Sequence, residues 1–298
     1  MLSELLPFWS KYWCYIAIGC VTYFAAVFIS RRTGHDRTSK GSADSSGEVD
    51  DSSRARDSER INEGIDGEVI EEPALPKSLE HVPYDGKKTP ENEVRRRARE
   101  FYDIANARRT IRFFSSDHVP ESVIHDLIKT AGTAPSGAHT EPWTFVAISS
   151  SDMKSRVREI IEAEEELNYK KRMGKKWTTD LEPLRTSWIK EYLTVAPWLI
   201  LVFKQTYGTL PDGRKKIHYY HEMSVSIACG ILITAIQYAG LVTLTSTPLN
   251  CGPALRKLTG RPSSEKLCLL LPVGYPAGDA TVPKLQRKRL DDILVHFG

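Results

Sequence analysis

The chain has 298 residues, enough for one large domain or two small ones. Hydrophobic residues make up 41% and charged residues 27%, an ordinary globular balance. A net charge of only +3 excludes nucleic-acid binding by overall electrostatics and leaves local basic clusters to be judged one by one. The five cysteines are Cys14, Cys20, Cys229, Cys251 and Cys268; the number is odd and the spacing fits no zinc or disulfide framework. Buried free thiols in a reducing compartment account for them, and no metal site is expected.

Tyr12 to Ile29 is apolar apart from Thr22 and carries no charge. That is about the ~18–20 residues needed to cross a bilayer core. Trp9, Tyr12, Trp13 and Tyr15 cluster at one end as an aromatic belt would. Arg31, Arg32, Arg37 and Lys40 follow the run and only Lys11 precedes it. The positive-inside rule then sets residues 1–30 as a single-pass anchor and the bulk of the chain in the cytosol, at a plasma or cytoplasmic vesicle membrane. A cleaved signal peptide is the competing reading, against which the run is longer than the usual ~7–15 residues.

Residues 31–90 are rich in Ser, Asp, Glu, Gly and Arg, with few large apolar side chains. Such a stretch buries too little apolar surface to offset its ordering entropy, so it reads as a flexible acidic and polar linker. From residue 91 the pattern predicts helices over Glu93–Ala107 and Glu121–Ala131, a strand over Trp143–Ile148, and helices over Lys154–Met173 and Leu184–Leu193. A strand over Trp198–Phe203 follows, then a helix over Glu222–Gly240 that is apolar and small on most faces. Its small residues suit a subunit interface or burial inside a monomer. Val242–Thr245 and Leu267–Val273 read as strands around a helix over Gly252–Thr259. Residues 91–298 are therefore expected to form one α+β domain, a mixed central sheet flanked by helices. No Gly-x-Gly-x-x-Gly turn follows a strand, so the dinucleotide fingerprint is absent.

Several clusters carry chemistry. Arg108, Arg109 and Arg112 place three guanidiniums in five residues, suiting a phosphate or a solvated basic turn. Ala134 to Trp143 is a turn with Pro135, Ser136, Gly137 and Ala138, where Gly137 allows close backbone approach to a ligand; an ordinary loop has the same composition. Thr245, Ser246 and Thr247 put hydroxyls at a strand end, facing a ligand or capping a helix. Lys284, Arg287, Lys288 and Arg289 offer a second phosphate contact or a solvated face. Glu165 and Tyr169 share one helix face at i,i+4 spacing, though Glu and Lys on such a helix usually form solvated pairs such as Glu166–Lys170.

Taken in order, Arg108–Phe114, Ala134–Trp143, the apolar helix, Thr245–Asn250 and Pro272–Pro276 resemble the FMN-binding nitroreductase-like superfamily over about residues 91–298. Glu164–Gly174 and Trp188–Tyr192, with the anchor and acidic linker, resemble its branch that removes iodine from iodotyrosines. The resemblance implies a homodimer with two FMN sites at the subunit interface. Arg108, Arg109 and Arg112 would hold the flavin phosphate and ring edge, and Arg287 would reach the phosphate. Pro135, Ser136, Thr245, Ser246 and Thr247 would contact the flavin, with the Thr247 hydroxyl near N5 favouring one-electron steps. Substrate would meet the backbone of Ala138 and the side chains of Glu165, Tyr169 and Lys190. The Ala138 N–H would stabilise the phenolate, Glu165 the ammonium, and Lys190 with Tyr169 the carboxylate.

The implied reaction is FMN-dependent reductive dehalogenation of mono- and diiodotyrosine to tyrosine and iodide, salvaging iodide for thyroid hormone synthesis. NADPH would be the ultimate electron donor, directly or through a reductase. A general nitroreductase or quinone reductase, a non-catalytic flavin-binding redox sensor, and a flavin-degrading enzyme are the alternatives on the same fold.

Overall fold

The computed structural model describes residues 73–210 and 212–298. The expected anchor and most of the linker lie outside these residues. Residues 73–90 are described; they form no helix or strand and are mostly exposed. Among the described residues no helix is long and apolar enough to cross a membrane.

In chain order come α1 (Glu91–Ala107), α2 (Glu121–Gly132), β1 (Trp143–Ile148), α3 (Ser151–Leu167), α4 (Lys175–Leu181) and α5 (Tyr192–Val195). Then follow β2 (Trp198–Gln205), β3 (Tyr207–Thr209), β4 (Lys215–Ile217), α6 (His221–Tyr238), β5 (Val242–Thr243), α7 (Gly252–Leu258) and β6 (Glu265–Gly274). The main sheet runs β1-β2-β6-β5, and β3-β4 form a separate hairpin. The domain is α+β, as expected.

The sheet is less mixed than expected. Its named strands all pair antiparallel. A parallel bridge joins Thr110 to Thr243, and there the Ile111 N–H donates to the Thr243 carbonyl at 3.2 Å. That bridge lays the arginine segment along the outer edge of β5.

The centre of the core is β2, whose apolar run is buried on both faces. Trp198, Ile200 and Val202 pack with α2 and α6 residues such as Ile124, Leu127, Val225, Leu232 and Ile236. Leu199, Leu201 and Phe203 pack with Val157, Ile161, Leu193 and Leu255 on the other side. A strand covered on both faces reads as a continuous apolar run rather than an alternation, which is why Trp198–Phe203 stands out in the sequence. The Trp198 indole donates to the Val119 carbonyl at 2.8 Å, so its polar edge is satisfied inside the core.

Three local expectations need correction. Leu184–Leu193 is not a helix. Arg185 turns left-handed at φ 50°, and helix resumes only over Tyr192–Val195. The intervening backbone is committed to tertiary contacts, since the Lys190 N–H donates to Glu162 at 2.6 Å. The long helix expected over Lys154–Met173 starts earlier, where Ser150 caps it by accepting from the Met153 N–H. It ends earlier too, passing into a π turn over Asn168–Arg172. Third, no strand is expected between Phe203 and Glu222, yet the β3-β4 hairpin follows β2 directly.

Gly137 is also constrained from within the chain. A Cβ there would lie 2.7 Å from the Tyr219 carbonyl, so the close approach is to the chain itself.

His218, just after β4, is 4% exposed, and both ring nitrogens lack a hydrogen-bond partner among the described residues. Burial, helped by Lys216 and His221, pushes its imidazole down to about 4 from 6.5. The unfolded chain therefore binds the extra proton between those values. This contribution to stability is fully present above about 6.5 and is lost as pH falls toward about 4. His218→Phe should flatten the fall in urea stability between about pH 7 and about pH 4.5; an undiminished slope would rule the linkage out.

Candidate active site

Arg108, Arg109, Arg112 and Arg287 converge on a cleft of 320 Å³, closed by Leu184, Pro283, Leu285 and Gln286. A smaller hollow of 220 Å³ shares Thr110, Arg112, Leu184 and Pro283 with it. The arginines are not equivalent. Arg109 donates to the Pro283 carbonyl. Arg287 donates to Asn106 Oδ1 at 3.1 Å and to the Arg108 carbonyl at 2.8 Å. These two stitch the C-terminal segment to the end of α1. Neither Arg108 nor Arg112 pairs with a carboxylate at salt-bridge distance among the described residues. Lys284, Lys288 and Arg289 are exposed and outside the cleft. The cleft is thus a concave site with uncompensated guanidinium charge, which fits the phosphate end of FMN.

The clamp residues also converge. Glu165 and Lys190 are 7% and 6% exposed, and Lys190 Nζ stands 3.6 Å from Glu165 Oε2. Lys190 Nζ sits 5.5 Å from the centroid of the Tyr169 ring and also donates to the Ser187 carbonyl. Burial lowers the Lys190 pKa, with Glu165 opposing the shift. Burial raises that of Tyr169, whose hydroxyl is hydrogen-bonded to Thr186. Trp188 meets the Tyr169 ring edge-on at 6.2 Å. Glu166, one residue from Glu165, forms the solvated pair with Lys170 at 2.5 Å. The helix therefore uses one Glu for each of the two readings the sequence allows.

Tyr192, not singled out in the sequence, belongs to the same neighbourhood. Burial pushes its phenol up to about 12, opposed by a hydrogen bond with Ser246 and by Arg112. Thr245 and Thr247 are exposed while Ser246 is partly buried, the alternation of an extended segment. Ser246 and Leu270 exchange backbone hydrogen bonds at 2.9 and 2.8 Å. Thr245 and Thr247 are thus left facing outward, whereas Ser246 is held against Leu270. Thr247 also borders a separate hollow of 430 Å³ with Asn250, Arg256 and Lys266.

Pro135, Ser136 and Ala138 are not brought to this cluster. They precede β1, at the opposite edge of the sheet from β5, three interstrand spacings or about 14 Å away. Their loop is rigidly built. Ser136 Oγ accepts from the Glu141 N–H at 3.0 Å, which leaves its own proton to donate. Thr140 donates to the Gly137 carbonyl at 3.0 Å. Ala138, His139 and Glu141 all have left-handed φ, at 48°, 52° and 47°. The N–H groups of Gly137 and Ala138 have no acceptor among the described residues. Two adjacent free amides in such a turn form a concavity suited to an oxyanion.

The Nitroreductase family model matches residues 105–275. Iodotyrosine deiodinase 1 of Mus musculus is 65% identical over 218 residues, covering 73% of this chain and 76% of that protein. Iodotyrosine deiodinase of Daphnia pulex is 49% identical over 301 residues, covering 99% of this chain and all of its own length. The crystal structure of oxidized iodotyrosine deiodinase bound to FMN and 3-iodo-L-tyrosine matches with a TM-score of 0.56 at 30% identity, over 66% of this chain and 98% of that one. A family match across the domain that holds the guanidinium cleft and the clamp, and a relative aligned from end to end, lead to one conclusion: the chain belongs to the iodotyrosine deiodinases of the Nitroreductase family.

Proposed function

We propose that this protein is a membrane-anchored, homodimeric, FMN-dependent deiodinase. It converts mono- and diiodotyrosine to tyrosine and iodide, salvaging iodide for thyroid hormone synthesis, with NADPH as ultimate electron donor. The observation that carries the reading is the buried Glu165–Lys190 pair beside Tyr169 and Arg112. Opposite charges held 3.6 Å apart out of water match the two ends of an amino-acid zwitterion. A general reductase of nitroaromatics or quinones has no use for them.

FMN supplies the two electrons that, with one proton, replace the carbon–iodine bond by carbon–hydrogen and release iodide. Arg108, Arg109, Arg112 and Arg287 hold its phosphate and ring edge, and Thr245, Ser246 and Thr247 flank the ring. The Thr247 hydroxyl would be the donor near N5. Glu165 takes the substrate ammonium, and Lys190 with Tyr169 takes the carboxylate. Pro135, Ser136 and the free Ala138 N–H receive the flavin edge and the phenolate oxygen. Iodine acidifies the phenol, so the phenolate is the form bound.

Because that loop lies across the sheet from the guanidiniums, a second copy contributes it. The surface supports the same assembly. Phe101, Val123, Leu127, Ile227, Ile231 and Tyr238 line an apolar groove of 740 Å³ on α1, α2 and α6. Near the C-terminus Leu290, Ile293, Val295 and Phe297 are between 63% and 93% exposed. Uncovered apolar area of this kind marks an interface.

The decisive experiment is to purify the chain, look for flavin absorbance and measure iodide released from diiodotyrosine against turnover of a nitroaromatic. A colourless protein that takes up no FMN, or one that prefers the nitroaromatic, overturns the reading. Glu165→Gln and Lys190→Ala should each raise KM for iodotyrosine about 10–100-fold while FMN stays bound, the size of a lost charged hydrogen bond. Unchanged KM in both would dismiss the clamp. Since burial lowers the Lys190 pKa, carboxylate binding should fail as pH rises through a value below the ordinary 10.5, whereas an ordinary lysine would keep it to higher pH. A pH profile of substrate affinity reads this directly. Removal of residues 1–30 should release a soluble, active dimer from membranes; a monomer with full activity in sedimentation would refute the shared site.

A further inference from the structure

One buried amide in the segment 164–174, which carries Glu165 and Tyr169 and serves as the lid over the proposed substrate site, is used by none of these assignments. We propose that Asn168 is a positioning residue that orients the Glu165 carboxylate and ties the substrate lid to the loop carrying Thr247. This rests on the reading of Glu165 as the ammonium partner of iodotyrosine.

Asn168 is 1% exposed and begins the π turn at the end of α3. Its Nδ2 donates to Glu165 Oε1 and to the Leu249 carbonyl, each at 3.4 Å. Its Oδ1 accepts from Arg172 Nη1 at 3.1 Å and from Asn250 Nδ2 at 3.4 Å. A primary amide has two N–H donors and an oxygen with two lone pairs, so these contacts use its whole capacity. Turning the amide over would set its NH₂ against two donors and its oxygen against two acceptors. Its orientation is therefore fixed by four groups from three different segments. Three of the four contacts are long, at 3.4 Å, and the grip comes from their sum.

Two consequences follow for the site. Glu165 has Oε1 toward Asn168 and Oε2 toward Lys190, so the plane of the carboxylate is set before substrate arrives. A π turn at this point adds a residue to the helical turn and swings the Asn168 side chain toward Leu249 and Asn250. Asn250 itself sits at a left-handed φ of 65°. These two residues follow Thr247 by two and three positions, so the lid holds the loop through the same amide that holds Glu165. Arg172 completes the arrangement from the far side of the turn and also pairs with Glu164 at 2.8 Å.

The test is a double-mutant cycle on the full-length, flavin-loaded protein. Binding of iodotyrosine is followed by the change in flavin fluorescence, and FMN affinity is measured alongside. Asn168→Leu should weaken iodotyrosine binding about tenfold with FMN affinity changed less than about twofold. Glu165→Gln combined with Asn168→Leu should bind no more than about twofold worse than Glu165→Gln alone, because both changes remove one coupled element. A residue with only a general structural role would instead multiply the two losses. Asn168→Ser, which keeps a small polar group, serves in the same cycle should Asn168→Leu fail to fold. Binding at the wild-type level in the Asn168 variants, or purely multiplicative losses, overturns the positioning role alone. Failure of the unmodified protein to bind iodotyrosine removes the substrate assignment itself, and this inference with it.

Discussion

Everything distinctive about this site depends on keeping a carboxylate and an ammonium together out of water. Desolvating two charges is expensive, and a 3.6 Å contact between Glu165 and Lys190 does not by itself repay it. The surrounding groups make the arrangement tenable. Lys190 Nζ has the Ser187 carbonyl and the Tyr169 ring, and its backbone N–H has Glu162. Glu165 has Asn168. Removing one partner of such a pair strands the other at a cost of about 3–5 kcal/mol, and the pair adds little net stability. Under the proposed function, a zwitterion entering between them replaces one ion pair by two and relieves the unfavourable burial.

The two sides of the site are built to different mechanical standards. The guanidinium cleft and the hydroxyl loop lie along β5 and β6, next to the double-sided core around β2. The Pro135–Ala138 loop leads straight into β1 and is held by Ser136, Thr140 and the Tyr219 backbone. Left-handed residues at 138, 139 and 141 store strain that only such bracing can sustain. By contrast, the segment after α3 is a chain of short pieces: a π turn, the seven residues of α4, a 3-10 turn and a left-handed Arg185. Segments with few buried contacts open at lower free energy than a core strand. Rigid floor and jointed lid are what a reaction that must admit substrate and then exclude water requires.

How far this could be read from sequence follows from where the deciding contacts lie. The strand at Trp198 and the helices at Glu121 and His221 are legible because burial imposes their apolar pattern locally. The hairpin of β3 and β4 has a strong turn signal at Asp212-Gly213, and Gly213 does take φ 86°. Lys215 and Lys216 hid it by making the second strand look like solvated loop. The helix expected at Leu184 failed for the opposite reason. Its local pattern is acceptable, and contacts to a distant helix override it. Glu165 could not be told from Glu164 or Glu166 by any local rule, since only tertiary packing decides which of three adjacent carboxylates is buried. Asn168 and Tyr192 are invisible on the same grounds.

The small-residue helix suits either a monomer core or an interface by its sequence, and the fold buries one of its faces while leaving the other exposed. One face of α6 carries Val225, Ala228, Cys229, Leu232 and Ile236 into the core. Burial pushes the Cys229 thiol up to about 12, which suits a packing role. The other face leaves Met223 63% and Tyr238 73% exposed. A helix apolar all round needs cover all round. Under the proposed dimer that cover and the Ala138 amide come from the same event, because the loop and the guanidiniums occupy opposite edges of one sheet. Arg287 strengthens the link, since it anchors the C-terminal segment whose last residues carry exposed apolar side chains. Assembly, cofactor retention and substrate recognition then draw on one interface, and any ligand bound only by the assembled form stabilises the assembly in turn.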